Sequence, residues 1–411
     1  MKIRAITQFI PLSWPFDDGY ITSAARLLTD ARHRFADSGF EVQSICVATP
    51  PFMDVLSYPD AALLLNFARR LDDLAQKYHI DYVSIGPVTA TTPLALLMPI
   101  HTLPQVIAQT ERVVSGVLFA DIQSGVNLSA ARALANAVSE VASLTPHGVG
   151  NLRLGALANV PPHVPHMPAA YHQDSTASFA IASEAADLAV SAVTGAHSLN
   201  EIQKSLAESI ENNASRILKV ADILVDDHQV QFMGIDFSLV PFPQQARSIG
   251  AAIERMGLDA FGGNGTLFAV SVLNRALRLV NVPRVGYSGV MLPVLGDGVI
   301  ARRNSHTPLT ISDLLLYAIG GGAGLDLVPI PGDTPADEIA AIYLDMAVAS
   351  LAVGRPLSAR LLPIPNAAPG DPVDLDRPEL ASSSVIAVKK AGAARLFERN
   401  SFLTLAPRRK K

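Results

Sequence analysis

Short runs of apolar residues alternate with longer segments of helical periodicity along almost the whole chain. Several of the runs are apolar at nearly every position, which is typical of strands that are buried on both faces of a parallel sheet. The alternation predicts an α/β chain with a largely parallel sheet, either open or closed into a barrel. The predicted strands are residues 3–10, 42–48, 82–85, 113–120, 152–158, 231–239, 284–294, 325–330 and 358–364.

Two of the predicted helices have clear signals at their ends. Ser198 and Glu201 have the spacing of a capping box, and apolar residues then recur at steps of three and four through 199–221, so that one stripe faces the core. A later helix is predicted to open at 333–335 (DTP), where a hydroxyl can cap the first turn, and to end at Gly354. Weaker helical periodicity covers residues 22–38, 61–78, 129–142 and 244–256.

Composition narrows the class of protein. Of the 411 residues, 49% are hydrophobic and 17% are charged, whereas an average soluble domain has roughly 25% charged residues. Such a chain has enough apolar surface for a large core, which excludes a disordered protein. The 32 basic and 37 acidic residues give a formal net charge of −5, so the charge gives no reason to expect nucleic acid as a partner.

The cysteine count and the apolar stretches bear on location. Cys46 is the only cysteine, which excludes a disulfide or a thiolate metal cage within one chain. The first residues lack the apolar run and cleavage site of a signal peptide. The most apolar later stretch, 314–325, is shorter than the ~20 residues that a membrane span needs. We therefore expect a cytoplasmic protein with no membrane partner.

No segment rich in Gly, Ser or Pro is long enough to divide the chain. We predict a single domain over residues 1–388, followed by a basic, solvated tail over 389–411. The segment 266–280 is apolar around most of its circumference, which predicts a helix buried on several sides. With the low charged fraction it also leaves room for a subunit interface, and we expect a homo-oligomer.

Several segments, most of them in the second half of the chain, resemble one family in order and in approximate spacing. They are 234–243 (GIDFSLVPFP), 288–294 (SGVMLPV), 324–335 (GLDLVPIPGDTP) and 358–365 (SARLLPIP), with looser matches at 124–127 (SGVN) and 170–172 (AYH). The family is the microbial one known as domain of unknown function 711. The run that ends in IPGDTP is long enough to be specific.

That family resembles pyruvate formate-lyase in fold, which implies a ten-stranded α/β barrel built from two half-barrels. A shared fold does not imply a shared reaction. The segment 284–287 (RVGY) is one residue short of the radical-glycine motif and lies in mid-chain, and Cys46 on a predicted strand is explained as a small buried side chain. We therefore expect chemistry that does not use a glycyl radical.

Charged residues interrupt several of the apolar strands. Asp236 and Asp326 lie within such runs, and Asp121 follows another; a lone buried carboxylate costs several kcal/mol unless it is paired, hydrogen-bonded or metal-bound. If these acids meet, they could transfer protons or share Mg²⁺ or Ca²⁺ through oxygen ligands. Alternatively, Asp236 accepts hydrogen bonds from a neighbouring loop. Arg360 needs an anionic partner, which is either Asp236 or Asp326 or a substrate anion.

A glycine-rich turn precedes the predicted helix from Thr266. Gly263 and Gly265 permit close approach of an anion to the helix N-terminus, and Asn264 and Thr266 add side-chain donors. Plain turn geometry explains the glycines almost as well.

Two further polar residues have competing explanations. Asp333 stands at a predicted helix start and either caps it or lies beside a bound anion; Asn127 is either a polar contact for substrate or an N-cap. The segment 320–324 (GGGAG) follows a helix and leads into a strand, which is the reverse of the dinucleotide-binding order, and no Walker lysine is present. The sequence therefore contains no nucleotide-cofactor motif.

Three histidines lie within ten residues. Prolines between His163, His166 and His172 break any helix that would align them, and no HExxH motif is present, so zinc is not expected. Only His172 falls in a segment that resembles the family. We take it as a candidate acid/base or substrate contact and expect the other two to be loop residues.

Together these features predict an enzyme that acts on a small polar, anionic metabolite by acid/base or divalent-metal-assisted hydrolysis or elimination. Asp236 and His172 would transfer protons, Asp326 would be a paired acid or a metal ligand, and Arg360 with residues 262–265 would hold the anion. The alternative is a non-catalytic ligand-binding or scaffolding barrel whose polar residues form an internal salt-bridge network.

Overall fold

The computed structural model describes residues 1–57 and 59–404, which form one large sheet with helices packed around it. The strands are β1 (Lys2–Phe9), β2 (Val42–Ala48), β3 (Tyr82–Thr89), β4 (Val113–Asp121), β5 (Gly125–Asn127), β6 (Leu154–Ala158), β7 (Ser178–Glu184), β8 (Gln231–Asp236), β9 (Gly324–Pro331), β10 (Leu357–Ile364), β11 (Pro372–Val373), β12 (Ser383–Ser384) and β13 (Phe402–Leu403).

The helices lie mostly between the strands along the chain, as the alternating sequence pattern predicts. They are α1 (Gly19–Asp37), α2 (Phe52–Leu56), α3 (Ala61–Lys77), α4 (Leu103–Ala108), α5 (Leu128–Leu144), α6 (Ala186–Gly195), α7 (Leu199–His228), α8 (Ile249–Arg255), α9 (Thr266–Leu279), α10 (Gly298–His306), α11 (Ile311–Gly320), α12 (Ala336–Val353) and α13 (Ala394–Arg399), with short 3₁₀ turns at Met98–Thr102, Pro146–Arg153 and Gln245–Arg247. No helix within the described residues is long and apolar enough to cross a bilayer.

The large sheet consists of two parallel halves that run in opposite directions. Its main strand order is β8-β7-β1-β2-β3-β4-β6-β10-β9. The first half consists of β1, β2, β3, β4 and β6, which are mutually parallel. The second half consists of the parallel pair β7 and β8 at one end of the sheet and the parallel pair β10 and β9 at the other, since β7 pairs antiparallel with β1 and β10 pairs antiparallel with β6. The predicted α/β class and largely parallel sheet are therefore confirmed.

One predicted strand is irregular, and of the observed strands longer than three residues one, β7, was not predicted. Residues 284–295 contact both ends of the sheet, through the bridges Ile235↔Arg284, Leu239↔Val290 and Val290↔Gly322, but they form no continuous ladder. Left-handed backbone at Gly286 (φ 68°) and Ser288 (φ 41°) interrupts the extended conformation there. Strand β7 was missed because its apolar sequence runs without a turn signal into the alanine-rich start of α6.

The two helices with clear end signals form much as predicted. The Ser198 hydroxyl accepts a hydrogen bond from the Glu201 amide at the start of α7, and α12 ends at Gly354, which adopts the left-handed conformation. The start of α12 differs from the prediction. The helix begins at Ala336 with Pro335 as its N-cap, and the Thr334 hydroxyl donates instead to the carbonyl of Pro331 at 2.7 Å.

The α9 helix is buried over most of its circumference, as its apolar sequence predicts. Its outer face nevertheless leaves Phe268 62% exposed and Leu279 53% exposed. The homo-oligomer inferred from this segment stays a prediction.

The described part of the basic C-terminal segment is ordered against the body of the protein. Helix α13 lies within it, and β13 pairs antiparallel with β5. The amide of Leu128 donates a hydrogen bond to the carbonyl of Ser401 at 2.9 Å. Residues 389–404 are thus attached to the body through backbone hydrogen bonds, although most of them are exposed; residues 405–411 of the predicted tail lie outside the described residues.

The connection between β6 and β7, residues 159–177, is buried against inward-facing side chains of the first half of the sheet, and we call it the plug. The Thr7 hydroxyl donates to the carbonyl of Pro165 at 2.9 Å, and the Ser84 hydroxyl donates to that of Ala170 at 2.5 Å. The plug contains all three histidines of the predicted cluster, so its packing decides where these side chains lie.

A buried carboxylate joins two helix N-termini. Asp297 is fully buried and accepts hydrogen bonds from the amides of Ile249 and Gly250 at the start of α8 and of Val299 and Ile300 at the start of α10, at 2.7–3.2 Å. The Ser248 hydroxyl donates a fifth hydrogen bond at 2.6 Å. A carboxylate here is stabilised both by the free N–H groups and by the positive ends of the two helix dipoles.

Candidate functional site

The candidate site is a cavity that both halves of the sheet and the plug line. It has a volume of about 180 Å³, which corresponds to about six water molecules at ~30 Å³ each. We call it the main cavity. Side chains that line it include Arg4, Cys46, Tyr82, His166, Met167, Asp326 and Arg360.

A smaller pocket of about 50 Å³ adjoins the main cavity, and we call it the inner chamber. It shares His166, Met167, Asp326 and Arg360 with the main cavity and adds Tyr287 and Ser358. On the outside, a depression of about 950 Å³ shares Arg4, Tyr82 and Arg153 with the main cavity. The main cavity therefore has a polar entrance and a narrow inner end.

Asp326 and Arg360 form a bidentate ion pair on the cavity wall. Nε of Arg360 lies 2.6 Å from Oδ1 of Asp326, and Nη2 lies 3.0 Å from Oδ2. Burial disfavours the charge on Arg360, but the neighbouring carboxylate outweighs burial and raises the pKa of the guanidinium. The internal pairing that the sequence suggested for Arg360 is therefore confirmed, with Asp326 rather than Asp236 as the partner.

Arg360 keeps donors for a ligand in spite of this pair. A guanidinium has five N–H groups; two bind Asp326, and a third, on Nη1, donates to the carbonyl of Leu152 at 3.3 Å. Within residues 1–57 and 59–404, two N–H groups have no protein partner, on a side chain that is 22% exposed and lines both pockets. An anion in the cavity can bind them without breaking the pair with Asp326.

The cavity lining carries more positive than negative charge. Arg4 donates to the side-chain carbonyl of Gln43 at 2.7 Å and lies 3.8 Å from Glu184, which also pairs with Arg247. Around the main cavity as a whole, four arginines face three carboxylates. They are Arg4, Arg153, Arg360 and Arg377 against Glu111, Asp326 and Glu379. The surplus favours an anionic ligand.

Asp236 is fully buried and saturated by hydrogen bonds from its neighbours. Its Oδ1 accepts from the amide and hydroxyl of Ser238 and from the amide of Ser288, at 2.9, 2.5 and 3.1 Å, and its Oδ2 accepts from the amide of Tyr287 at 2.7 Å. Burial raises the pKa of this carboxyl, but the adjacent His166 and these hydrogen bonds together hold it below the usual value. The carboxylate thus orders the 286–289 loop, as one of the two sequence interpretations proposed.

The same carboxylate orients a histidine of the plug. Nε2 of His166 lies 3.5 Å from Oδ2 of Asp236, and the imidazole, whose side chain is 11% exposed, lines both the main cavity and the inner chamber. The pair is too long for a normal hydrogen bond, but the facing carboxylate can orient the partly buried imidazole electrostatically, as the acid beside a general base does. His166 therefore takes the place beside Asp236 that the sequence prediction gave to His172.

His172 lies elsewhere in the plug, next to His163. Its Nδ1 is 3.3 Å from Nε2 of His163, which is also 3.3 Å from Oδ2 of Asp174, and its ring stacks against Phe9. His172 is fully buried, and burial followed by the neighbouring His163 lowers its pKa to about 4. It does not line the main cavity, so its predicted place in proton transfer with Asp236 is not supported by its position.

The low pKa of His172 predicts acid lability. An unfolded histidine binds a proton below about pH 6.5 and the folded one only below about pH 4. The unfolded state therefore binds more protons in this window, and stability falls as pH drops from about 6.5 to about 4, by on the order of 2–3 kcal/mol. The free energy of unfolding, measured by urea titration at several pH values in this range, should fall clearly less steeply with decreasing pH for His172→Gln than for the wild type. The exposed His33→Gln variant should follow the wild type, and an equal pH dependence for all three proteins would refute the assignment.

Cys46 lines the main cavity but is a poor nucleophile. Burial is the main cause that raises the pKa of its thiol to about 12, so the thiol is protonated near neutral pH. A thiolate, not a thiol, is the nucleophile in cysteine enzymes. Thiol chemistry by Cys46 near neutral pH is therefore not favoured in this cavity.

The remaining predicted residues lie outside the main cavity and have local partners. Asp121 accepts hydrogen bonds from the amides of Gln123 and Ser124 in its own turn, and Asn127 is the N-cap of α5, accepting from Ala130 at 2.9 Å. Asp333 is exposed beside a different surface depression and does not cap α12.

The 262–265 turn also lies apart from the cavity. Gly263, Asn264 and Gly265 are exposed, and none of them lines the main cavity. The buried Thr266 hydroxyl accepts a hydrogen bond from the Gly262 amide at 3.1 Å. Plain turn geometry, the alternative that the sequence left open, accounts for these residues, and their predicted contact with the substrate anion is not supported.

The three predicted acids do not come together as a metal site. Asp326 is paired with Arg360 and Asp236 is saturated in its loop, while Asp121 belongs to a separate turn. Among residues 1–57 and 59–404, no three His, Cys, Asp or Glu side chains are grouped so that they could hold a metal ion. Their spacing along the chain could not show this, because it depends on which strand ends meet.

Comparisons with known proteins agree with the resemblance found in the sequence. The chain is similar to the UPF0210 proteins of Pyrobaculum islandicum (30% identity over 355 residues, 82% of this chain and 77% of the relative), of Methanopyrus kandleri (30% over 329 residues, 76% and 71%) and of Desulforamulus reducens (27% over 401 residues, 93% and 87%). The family model described as Uncharacterised ACR (DUF711) matches residues 1–376. The chain therefore belongs to the DUF711 family.

Proposed function

We propose that the protein is a cytoplasmic enzyme that binds a small anionic metabolite in the main cavity and acts on it by acid/base catalysis. The observation that carries this proposal is that His166, which faces Asp236, and Arg360, which keeps two N–H groups without a partner in the described part of the chain, line the same cavity. The arginines would bind the anion and orient it. The imidazole would take a proton from the bound molecule, and Asp236 would stabilise the imidazolium that forms.

The acid/base branch fits these residues better than the metal-assisted branch of the prediction. Both oxygens of Asp326 are bound by Arg360, and both oxygens of Asp236 accept hydrogen bonds. A Mg²⁺ or Ca²⁺ ion needs several oxygen ligands, and among the described residues these two carboxylates belong to no group of three side chains that could hold a metal ion. The reaction class is therefore proton transfer that leads to elimination or hydrolysis.

We further propose that the sheet closes into the ten-stranded barrel that the family resemblance implies, with residues 284–295 as the tenth strand. The bridges of this segment to β8 and to the residue two positions before β9 support closure. The amides of Val294 and Leu295 also donate to the carbonyls of Asp326 and Leu327 at 3.0 and 3.3 Å. In such a barrel the main cavity would be the lumen, and the plug would enter it between the two halves.

A non-catalytic barrel with an internal salt-bridge network is the second candidate. The bidentate pairing of Asp326 with Arg360 favours it, since both charges are satisfied without a ligand. His166 distinguishes the two candidates, because a purely structural network gives no reason for an imidazole to face the cavity.

The two candidates predict different results for Arg360→Gln and His166→Gln. For the enzyme, small carboxylates at millimolar concentration should raise the melting temperature of the wild type, and Arg360→Gln should abolish this shift. His166→Gln should still bind but should turn over at least about 100-fold more slowly, which is the usual contribution of a general base. Turnover is measured by NMR of a mixture of small carboxylate metabolites incubated with each variant, with the exposed His33→Gln as control. Shifts that are equal in all variants would favour the scaffold.

A further inference from the structure

The inner chamber contains a buried hydroxyl group that makes no well-formed hydrogen bond. Tyr287 is 7% exposed; its Oη lies near the side chain of Ser358, which also lines the chamber, but it has no hydrogen-bond partner of normal geometry among the described residues. Burial raises the pKa of this phenol, so it is protonated and can donate a hydrogen bond. A buried hydroxyl without a partner is unfavourable, which makes this one a place for a ligand atom that accepts hydrogen bonds.

The size and lining of the chamber define what can enter it. Its volume of about 50 Å³ admits one small group, since a water molecule takes about 30 Å³. His166 and Arg360 line it together with Tyr287, and the rings of His166 and Tyr287 are 6.2 Å apart between centroids. A group in the chamber would therefore be in reach of the proposed base, of a guanidinium and of the phenol.

Asp236 orders the backbone that carries the phenol and faces the imidazole. The amide of Tyr287 and the imidazole of His166 both face Oδ2 of this carboxylate, at 2.7 and 3.5 Å. Gly286 permits the close approach, because a Cβ atom at this position would lie 2.1 Å from Oδ2 and the backbone there is left-handed. The loop that carries Tyr287 is thus ordered beside His166 before a ligand binds, which favours a pre-organised site.

We propose that Tyr287 is a substrate-binding and catalytic residue whose hydroxyl donates to the carbonyl oxygen of a small oxo-carboxylic acid. This inference rests on the proposed function and adds the substrate class. Arg360 binds the carboxylate. His166 removes a proton from the carbon next to the carbonyl; the electron pair of that C–H bond forms a C=C bond, the π pair of the carbonyl moves onto its oxygen, and Tyr287 stabilises the resulting enolate by a hydrogen bond. Return of the proton to carbon reverses the step, whereas in a substrate with a leaving group on the next carbon the enolate expels that group, which is the elimination proposed above; neither route needs an oxidant or a cofactor.

The test compares 2-oxobutyrate with butyrate, which lacks the carbonyl. The wild type should bind 2-oxobutyrate at least about tenfold more tightly, because the unpaired donor rejects an analogue without the acceptor. It should also exchange the C3 protons of 2-oxobutyrate for deuterium in D₂O, as followed by NMR. Tyr287→Phe keeps the ring and the hydrogen bond from its backbone amide to Asp236. It should lose the preference for 2-oxobutyrate over butyrate, exchange the C3 protons at least about 100-fold more slowly, and bind butyrate as tightly as the wild type does.

Tyr171→Phe is the matched control, because its buried hydroxyl already donates to the carbonyl of Val160 at 3.0 Å. This variant should keep both the preference and the exchange. If Tyr287→Phe also keeps them while Arg360→Gln loses binding, the inference fails and the proposed function stands. If the wild type binds neither acid, both fail.

Discussion

Asp297→Ala should lower the free energy of unfolding by about 3–5 kcal/mol, which is the largest effect on stability that we expect from a single substitution. The substitution removes the acceptor of five hydrogen bonds and leaves four helix N-terminal amides of α8 and α10 without a partner in the core. Urea denaturation monitored by circular dichroism measures the loss.

Asp60→Ala is the appropriate comparison for that experiment. Asp60 is the exposed N-cap of α3 and accepts one hydrogen bond, from the Leu63 amide at 2.8 Å. Its removal should cost about 1 kcal/mol, as is typical of a single N-cap. Equal losses for the two variants would mean that Asp297 does not join the two helices as described.

Asp236→Asn should cost about 2–4 kcal/mol although it changes only one atom. One side of the carboxylate faces the Tyr287 amide, and the other faces donors of Ser238 and Ser288. An asparagine must turn its NH₂ group toward one of these two groups of donors, so that two hydrogen-bond donors face each other without an acceptor. The substitution also removes the negative charge that strengthens the remaining hydrogen bonds. The measurement is again urea denaturation.

Asp121→Asn is the matched substitution for Asp236→Asn. Asp121 accepts backbone hydrogen bonds in a surface turn, where water can replace a lost partner, so its loss should stay within about 1 kcal/mol. A stable Asp236→Asn protein would contradict the saturation of Asp236. The expected instability also makes His166→Gln the better probe of catalysis, since it leaves all the hydrogen bonds to Asp236 in place.

The fold could be predicted where the hydrophobic pattern is strong. The apolar strands and the stripe of α7 follow from burial alone, and Gly354 marks the end of α12 because a left-handed residue is needed there. The pattern failed at β7 and at residues 284–295, where alanine-rich sequence or left-handed backbone breaks the usual relation between period and structure.

The site could be predicted only in part. Charges inside apolar strands selected Asp326 and Arg360 because a buried charge needs a partner, but they left open whether Arg360 pairs with Asp326, Asp236 or a substrate anion. The same reasoning selected Asp121, whose turn satisfies it locally. Neither His166 nor Tyr287 has a distinguishing signal in the sequence, since the first depends on how the plug folds back and the second on a loop ordered by Asp236.

The central claim is that the charged groups of the main cavity form one ligand-binding site, and Cys46 provides a direct probe of it. Cys46 is the only cysteine of the chain and lines the main cavity. Mass spectrometry after treatment with methyl methanethiosulfonate at pH 9 therefore measures how fast the reagent reaches this cavity, with no signal from other thiols. If the labelling rate does not change when low concentrations of urea are added, the reagent reaches Cys46 through the cavity of the folded protein rather than after unfolding.

Small carboxylates that raise the melting temperature should slow the labelling of Cys46 in proportion to their occupancy, and Arg360→Gln should remove this protection. Carboxylates that stabilise the protein while Cys46 reacts at an unchanged rate would place the bound anion elsewhere and contradict the account.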